Sequence, residues 1–169
     1  VSSHLLERYL ANDGDRCYHC KSELFTQIQA IAPQLNVEVI LSGANADDAD
    51  DYRPGTKAAI EHQVRSPLAE CGINKEEVRK LAVHWDLPIW DKPAMPCLAS
   101  RVAYGEEVTP ERLDMIDRGE RFLRDHGFPT VRVRYHRGYV ARVEVPAGDV
   151  AKLCEGEFRQ SLVEQLKGL

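Results

Sequence analysis

Val37-Glu38-Val39-Ile40-Leu41 and the loop Ser42-Gly43-Ala44-Asn45-Ala46-Asp47-Asp48 that follows it decide the fold class of this chain. The first five residues are apolar and rich in β-branched side chains, which is typical of a buried strand in a parallel sheet. With a helix on each side, this strand forms half of a doubly wound α/β sheet. Ligands of such sheets lie at the carboxyl ends of the strands. We therefore expect the loop at 42–55 to border a binding site.

The helix before this strand is predicted from about Tyr18 to Ala32, and Pro33 ends or bends it. Its apolar residues recur at helical spacing and define one face that we expect to be buried. These residues are Leu24, Phe25, Ile28, Ile31 and Leu35.

Other segments of the first half carry weaker signals. Residues 1–16 are polar and are predicted to be irregular. A short helix is expected at 56–62, and Asn74-x-x-Glu77 is a capping box that begins an amphipathic helix. Leu87-Pro88-Ile89-Trp90 is typical of a short strand or extended segment.

Two prolines in Lys92-Pro93-Ala94-Met95-Pro96 indicate a domain junction. We predict an α/β domain at 1–95 and a small α+β domain at 96–169. Thr109-Pro110 begins a helix that runs to about His126 and ends at Gly127. The segment from Thr130 to Val145 alternates apolar and polar residues about Arg137-Gly138, and is predicted to be a β-hairpin.

Glu120 falls among the apolar residues of that second-domain helix. A carboxylate on a buried face requires a cationic partner, because burying it alone is costly. The hairpin offers Arg132, Arg134 and Arg142 on one face. Two interpretations remain open. One is a structural ion-pair cluster, and the other is a site where guanidinium groups bind phosphate or carboxylate.

Composition excludes several classes of protein. The 169 residues carry a net charge of -5 and 43% hydrophobic residues, so a general nucleic-acid binder and a disordered chain are disfavoured. No apolar stretch approaches the roughly 20 residues that span a bilayer, and no leader is apparent. We expect a cytoplasmic protein with no membrane partner and a homo-oligomeric state.

Four of the five cysteines fall into two groups. Cys17 and Cys20 form a C-x-x-C motif, which suits two thiolates on one metal or cluster, or a dithiol redox pair. Cys71 and Cys154 are interpreted as small apolar residues. His19, His62 and His84 have no ligand-like partner at i, i+4, and are interpreted as surface or capping residues.

The acidic loop also has two interpretations. Its four aspartates, at 47, 48, 50 and 51, are solvated or cap the next helix, or they bind a divalent cation carried by nucleotide phosphates.

Taken together, five segments resemble the LarE family, which comprises ATP-dependent sulfur transferases of the PP-loop superfamily. The resemblance covers nearly the whole chain, in order. The segments are Arg16-Cys17-Tyr18-His19-Cys20-Lys21, Gly43-Ala44-Asn45-Ala46-Asp47-Asp48, Asp51-Tyr52-Arg53-Pro54-Gly55, Pro96-Cys97-Leu98-Ala99-Ser100-Arg101 with Tyr104-Gly105, and Gly127-Phe128-Pro129-Thr130-Val131-Arg132-Val133-Arg134.

The resemblance implies a fold, a reaction and cofactors. Residues 1–95 are expected to be the C-terminal part of a PP-loop nucleotide-binding domain, and 96–169 a substrate and sulfur-transfer domain. The expected substrate is a nucleotide-like small molecule. The reaction adenylates a carboxylate of a pyridinium-dicarboxylate mononucleotide with ATP and Mg²⁺, and sulfur then replaces the activated oxygen. The product serves in nickel-pincer cofactor biosynthesis. The family's PP-loop would lie before Val1, so we expect this chain to be a fragment with little ATP turnover of its own.

The same resemblance assigns roles to individual residues. Ser100 and Arg101 line the active site, while Asn45, Asp47 and Asp48 lie near the nucleotide cleft. Cys17, Cys20 and Cys97 are expected to hold a 4Fe–4S cluster that carries sulfide, and the alternative is that Cys97 itself gives up its sulfur. The residues expected around the substrate phosphate or a metal are Arg132, Arg134, Glu120 and Glu144.

Rival functions come from other classes. A PP-loop enzyme that thiolates tRNA would need a basic surface, which a charge of -5 does not favour. A non-catalytic module stabilised by a metal is compatible with a fragment that lacks the PP-loop. An amidotransferase-type synthetase is disfavoured, because it has no use for three convergent cysteines.

Overall fold

A computed structural model describes residues 3–49 and 54–169 of the chain. These residues form two compact units. Unit 1 comprises Asp13–Met95 and the chain before Leu10, and unit 2 comprises Leu10–Asn12 and Pro96–Leu169. None of the helices that the structure describes combines the length and the apolarity that crossing a bilayer requires.

Among the described residues of unit 1, all the regular secondary structure is helical. Its core is small, and it forms where two helices pack together around Phe25, Ala58, Ala59 and Val64. Two of these four residues are alanines, so the two helix axes approach closely. The helices are α1 (Ser3–Leu10), α2 (Arg16–Ile31), α3 (Pro54–Glu61), α4 (Pro67–Glu70) and α5 (Lys75–His84), with short 3-10 turns at Ala32–Leu35 and Ala46–Ala49.

The prediction of α2 is confirmed, because the helix runs from Arg16 to Ile31 and gives way to a 3-10 turn containing Pro33. Its predicted apolar face is only partly buried. Phe25 lies in the core, whereas Leu24, Ile31 and Leu35 are exposed. The physical reason is that the buried side of α2 is a stripe of Arg16, His19, Ser22 and Phe25, and Leu24 and Ile31 lie outside it.

The apolar segment at 37–41 differs from its prediction. It is extended, but among the described residues it pairs only through a parallel bridge between Leu41 and Arg65. Val37, Val39 and Leu41 are 44%, 51% and 61% exposed, so the expected burial is wrong. A strand of a parallel sheet is buried by neighbours along both edges and by helices on both faces, and one bridge provides neither. The doubly wound parallel sheet stays a prediction.

Three further predictions in unit 1 have mixed outcomes. Residues 1–16 were expected to be irregular, but Ser3–Leu10 within that segment form helix α1. The capping box is confirmed, since Glu77 N donates to Asn74 Oδ1 and Asn74 N donates to Glu77 Oε2, both at 2.9 Å. The segment at 87–90 is a pair of exposed turns rather than a strand.

Unit 2 combines helices with the predicted hairpin. Strands β1 (Arg132–His136) and β2 (Val140–Glu144) pair in antiparallel register, with Arg134 opposite Arg142. The Thr109-Pro110 helix start and the Gly127 end are confirmed, since Gly127 adopts a left-handed φ of +84°. The helices are α6 (Pro110–Asp125), α7 (Val150–Leu153) and α8 (Gly156–Lys167), with 3-10 turns at Leu98–Arg101 and Ala147–Asp149.

One face of the hairpin carries the core of unit 2. Val133 of β1 packs with Leu123 of α6 and Leu162 of α8, together with Phe128. Gly119 allows the close approach, because a Cβ there would lie 3.2 Å from a methyl carbon of Leu166 and 3.5 Å from Val133. Since side chains alternate along a strand, the arginines of β1 project from the opposite face.

Candidate active site

The Cys97–Arg101 turn of unit 2 is folded around a guanidinium group. Arg101 Nη1 donates to the carbonyl oxygens of Pro96 at 2.6 Å and Cys97 at 3.1 Å, and to Ser100 Oγ at 3.2 Å. The hydroxyl of Ser100 in turn donates to the Cys97 carbonyl at 2.7 Å. The backbone polar groups of the turn are thereby satisfied, while the Cys97 side chain stays exposed and is not in a disulfide.

A buried ion pair fixes that guanidinium. Arg101 and Glu120 are 5% and 2% exposed, and Arg101 Nε donates to Glu120 Oε1 at 2.8 Å. The same carboxylate also accepts hydrogen bonds from Arg124 Nη1 at 3.1 Å and from Val133 N at 3.2 Å. A buried carboxylate is tolerated only with such compensation.

The partners of Glu120 correct one expectation. The hairpin arginines were expected to pair with it, but the structure gives this role to Arg101 and Arg124. The physical reason is the alternation of β1, which turns Val133 toward α6 and the neighbouring arginines away from it. The prediction that Glu120 lies beside a substrate phosphate or a metal is untested and stays a prediction.

The outer face of the hairpin is cationic. Glu144 Oε1 accepts from Arg134 Nε at 2.7 Å and from Arg142 Nη2 at 2.7 Å. Hydrogen bonding by Arg134 is the main cause that lowers the pKa of Glu144 below its ordinary value, and Arg142 adds to it. Arg132 lies opposite Glu144 in the register and is exposed. One carboxylate among three guanidinium groups leaves this face suited to binding an anion.

The turn and the cationic face adjoin each other. Arg134 Nη1 donates to the carbonyl oxygen of Ser100 at 3.2 Å. Two predicted motifs that are more than 30 residues apart in the chain therefore lie together in unit 2. They contribute Cys97, Ser100, Arg101 and Arg134. We call these four residues with Arg132 and Glu144 the unit 2 site.

The C-x-x-C motif occupies the first turns of α2 in unit 1. Cys17 and Cys20 are exposed, and being three residues apart on a helix they share one side of it. Between them His19 is buried, and its Nε2 lies 3.0 Å from Asp15 Oδ2. His19 is therefore not a surface residue, and its contact with Asp15, the N-cap residue of α2, accords with the capping interpretation.

Asp15 holds that histidine at the helix start. The hydrogen bond with His19 is the main cause that lowers the pKa of Asp15, and Arg8 contributes through a 2.8 Å hydrogen bond. The spacing of four residues between Asp15 and His19 could have predicted this contact from the sequence. The structure shows in addition that His19 is buried.

A second motif packs against the cysteine helix. A Cβ on Gly55 would lie 3.1 Å from Cγ of Lys21, so only glycine fits this contact without displacement. The Tyr18 hydroxyl donates to Glu61 Oε2 at 2.6 Å, and this hydrogen bond raises the pKa of Tyr18. The structure therefore joins the cysteine motif to the Pro54-Gly55 helix start, while 50–53 lie outside the described residues.

The acidic loop serves the backbone around it. Asn45 is buried and its Oδ1 accepts from Asp47 N at 3.0 Å, while Asp48 Oδ2 accepts from Asn45 N at 3.0 Å. Asp47 Oδ2 accepts from Lys75 N, the first residue of α5, at 2.9 Å. Asp47 therefore accepts from the start of α5, whereas the next helix along the chain, which the aspartates were expected to cap, is α3. The role of the three residues in a nucleotide cleft stays a prediction.

Within either unit taken separately, the described residues contain no group of three or more His, Cys, Asp or Glu side chains that could hold a metal ion. The predicted set of Cys17, Cys20 and Cys97 combines residues of both units. It is untested and stays a prediction.

The structure adds Asn12 of unit 2 to the candidate residues, although no sequence pattern predicted it. It is fully buried, and its side-chain amide donates to three backbone carbonyls about 90 residues away in the chain. Its setting, Ala11-Asn12-Asp13-Gly14, is typical of a turn, and no spacing rule connects it with partners that far away.

Comparison with known proteins gives three relatives. The chain is 46% identical to the uncharacterized protein slr1717 of Synechocystis sp. over 92% of its length, and 30% identical to the uncharacterized protein MJ0830 of Methanocaldococcus jannaschii over 96%. It is 38% identical over 158 residues to a pyridinium-3,5-bisthiocarboxylic acid mononucleotide synthase of Lactiplantibacillus plantarum. No protein-family model matches the chain.

The relatives are longer than the chain, which spans 58%, 56% and 62% of the Synechocystis, Lactiplantibacillus and Methanocaldococcus proteins. Against the synthase the aligned residues make up 94% of the chain, so they include both units. This similarity supports the resemblance to the LarE family that the sequence motifs carry.

Proposed function

We propose that the whole protein is an ATP-dependent sulfur transferase acting in nickel-pincer cofactor biosynthesis. Its substrate is a pyridinium-dicarboxylate mononucleotide, which it converts to a thiocarboxylate. Similarity to the Lactiplantibacillus synthase supports the substrate class, since that protein is named for the bisthiocarboxylic acid mononucleotide. The observation that carries the proposal is the contact between Arg134 and the Ser100 carbonyl, which joins a cationic face to the turn bearing Cys97.

The proposed reaction has two steps, adenylation and sulfur transfer. A carboxylate oxygen of the substrate attacks the α-phosphorus of Mg²⁺-bound ATP, and pyrophosphate leaves. A sulfur nucleophile then attacks the acyl carbon, and AMP departs with the original carboxylate oxygen. Activation is required because a carboxylate is a poor electrophile until its oxygen becomes a leaving group.

The residues of the unit 2 site supply binding and orientation. Arg132 and Arg134 bind the substrate phosphate, because guanidinium groups match its oxygens in pairs. Glu144 holds Arg134 in place from the neighbouring strand. Ser100 and Arg101 shape the turn, so that Cys97 faces outward at a fixed position. In the nucleotide-binding part, Asn45, Asp47 and Asp48 lie near the ATP.

For the sulfur source we propose a 4Fe–4S cluster held by Cys17, Cys20 and Cys97. All three thiols are exposed and none is in a disulfide, so the donor chemistry suits the cluster. When bound, the cluster supplies sulfide from an iron that has no cysteine ligand. The alternative donor is Cys97 itself. Its thiolate attacks the acyl carbon as AMP leaves, and loss of the Cα proton with cleavage of the Cβ–S bond then gives the thiocarboxylate and leaves dehydroalanine in the chain.

Anaerobic reconstitution with iron and sulfide separates the two sources. Cys17→Ala, Cys20→Ala and Cys97→Ala should each lose bound iron, while Cys71→Ala and Cys154→Ala, which also remove exposed thiols, should keep it. If all three former variants retain iron, the cluster is wrong. A loss of H₂S from the Cys97 peptide after turnover, seen by mass spectrometry, identifies the alternative donor.

The function itself is tested by thiocarboxylate formation from ATP and the dicarboxylate mononucleotide in the whole protein. Arg134→Ala should raise KM for the mononucleotide by about tenfold or more, because a hydrogen bond to a charged group is worth about 1.5–3 kcal/mol. Arg118→Ala removes an exposed arginine of α6 and should change nothing. Wild-type protein that forms no thiocarboxylate with any sulfur source contradicts the proposal.

A further inference from the structure

The segment Leu10–Asn12 is held against the loop that follows the Cys97–Arg101 turn. Asn12 Nδ2 donates to the carbonyl oxygens of Val102 at 3.3 Å, Ala103 at 2.8 Å and Glu106 at 2.9 Å. Two backbone bonds add to these, from Gly105 N to Asn12 O at 3.4 Å and from Val108 N to Leu10 O at 2.9 Å. The side-chain amide thus serves three carbonyls that no helix or strand satisfies.

The first of these carbonyls belongs to the residue that ends the Cys97–Arg101 turn. Val102 is the C-cap of that turn, and its N–H donates to the Ala99 carbonyl at 3.2 Å. Arg101 secures the start of the turn through the Pro96 and Cys97 carbonyls. The turn is therefore fixed at both ends, by a guanidinium at its start and by the Asn12 amide at its end.

On its other side the loop rests on the hairpin. Ala103 N donates to the Tyr135 carbonyl at 3.0 Å, and Val102 forms a parallel bridge with Tyr135. Without the Asn12 amide, the loop would keep this contact with β1 and the backbone bond from Val108 N to Leu10 O. The Ala103 carbonyl would keep Glu106 N as a donor at 3.0 Å, whereas the carbonyls of Val102 and Glu106 would lose the Asn12 donor. Leaving such groups unsatisfied favours rearrangement toward water.

The backbone of Asn12 explains why this residue type suits the position. Its φ is +57°, in the left-handed region that asparagine tolerates better than most residues. Glycine also adopts this φ without strain but lacks the amide. Aspartate keeps the shape, but it replaces the donor with an oxygen that would face three carbonyl oxygens.

We propose that Asn12 is a positioning residue of the unit 2 site, whose buried amide orders the end of the Cys97–Arg101 turn before substrate binds. This inference rests on the proposed function for its effect on turnover, but not for its effect on the loop. When only a fraction of molecules has the ordered turn, the apparent affinity for substrate falls by that fraction. Loss of the amide therefore acts on KM, while the chemical step in the bound state is spared.

Two measurements on the whole protein test the proposal. In Asn12→Gly, amide hydrogen exchange should accelerate in peptides covering 102–108 and stay unchanged in the hairpin at 132–144. In the sulfur-transfer assay, KM for the mononucleotide should rise about tenfold, with kcat within about twofold of wild type. Asn12→Asp should raise KM at least as much, because it lacks the donor.

The control is Leu162→Ala, which truncates a core residue of unit 2 away from the loop. It should lower Tm without changing KM, which separates positioning from general destabilisation. Unchanged exchange at 102–108 in Asn12→Gly overturns the proposal, as does faster exchange with unchanged KM, or an Asn12→Asp variant that behaves as wild type. If wild-type protein has no sulfur transfer, the proposed function fails, and the exchange measurement still decides whether Asn12 orders the loop.

Discussion

The two units hold their motif residues by different means. In unit 2, a buried ion pair joins the Cys97–Arg101 turn to α6, and a core of Leu123, Phe128, Val133 and Leu162 lies beneath the hairpin. In unit 1, the C-x-x-C helix packs against α3 through a core that contains one aromatic side chain and two alanines, and the apolar segment at 37–41 is exposed. The comparison teaches that unit 2 completes its candidate site from its own described residues, whereas unit 1 presents its two motif cysteines on the exposed surface of a helix.

We expect the largest loss of unfolding free energy from Glu120→Ala, which removes the buried ion pair of unit 2. It leaves Arg101 buried without its charge partner and removes an acceptor from Arg124 and Val133 N. Breaking a buried pair costs about 3–5 kcal/mol, and this should appear as a lower free energy of unfolding of unit 2 in urea, followed by amide exchange of α6 and β1. Asp114→Ala on the same helix removes only an exposed pair with Arg118, and should cost less than about 0.5 kcal/mol. Equal losses in the two variants would contradict the structural role of Glu120.

A matched pair of leucines sharpens the contrast in packing. Leu123→Ala in α6 removes a fully buried side chain and should cost about 2–5 kcal/mol. Leu24→Ala in α2 removes one that is 51% exposed, and should stay within about 0.5 kcal/mol. Urea denaturation of each variant gives both values. A large loss for Leu24→Ala would mean that the exposed side of α2 is covered in solution.

Helix caps offer a test in which the two units should behave alike. Asn74 caps α5 in unit 1, and Thr109 caps α6 in unit 2 by accepting from Arg112 N at 3.3 Å. Each Ala substitution should cost about 1 kcal/mol, because one backbone N–H loses its partner. Thermal unfolding of both variants checks this expectation. A much larger loss at Thr109 would show that tertiary context, rather than the cap, sets the cost.

The smallest effect is on the titration of Glu144. The Arg134 hydrogen bond lowers the pKa of this carboxyl in the folded state, with Arg142 as the second donor. A lowered folded pKa stabilises the protein at pH values above the ordinary range of glutamate, and this contribution is lost as pH falls through the folded pKa. In Arg134→Ala the pKa of Glu144 should move up toward its ordinary value, as measured by NMR of the side-chain carboxyl. Arg118→Ala should leave the pKa of Glu144 unchanged. If the pKa of Glu144 is the same in both variants as in wild type, the contact between Arg134 and Glu144 is wrong.

Local patterns predicted much of the secondary structure and part of the site. The capping box, the Thr109-Pro110 start and the hairpin follow from short-range chemistry, and the structure confirms them. The arginine face follows from alternation in β1, and Glu120 was recognised as buried from the period of α6. The burial expected at 37–41 failed because a strand's environment depends on what lies beside it.

The sequence by itself determined the elements of unit 2 and the charged residues of its site, because helix period, strand alternation and turn chemistry act within a few residues. Only the tertiary structure decided that Arg101, rather than a hairpin arginine, neutralises Glu120, and that Asn12 holds a loop some 90 residues away. These contacts depend on how the elements pack, since a buried polar group must find whichever partner packing brings within hydrogen-bond distance.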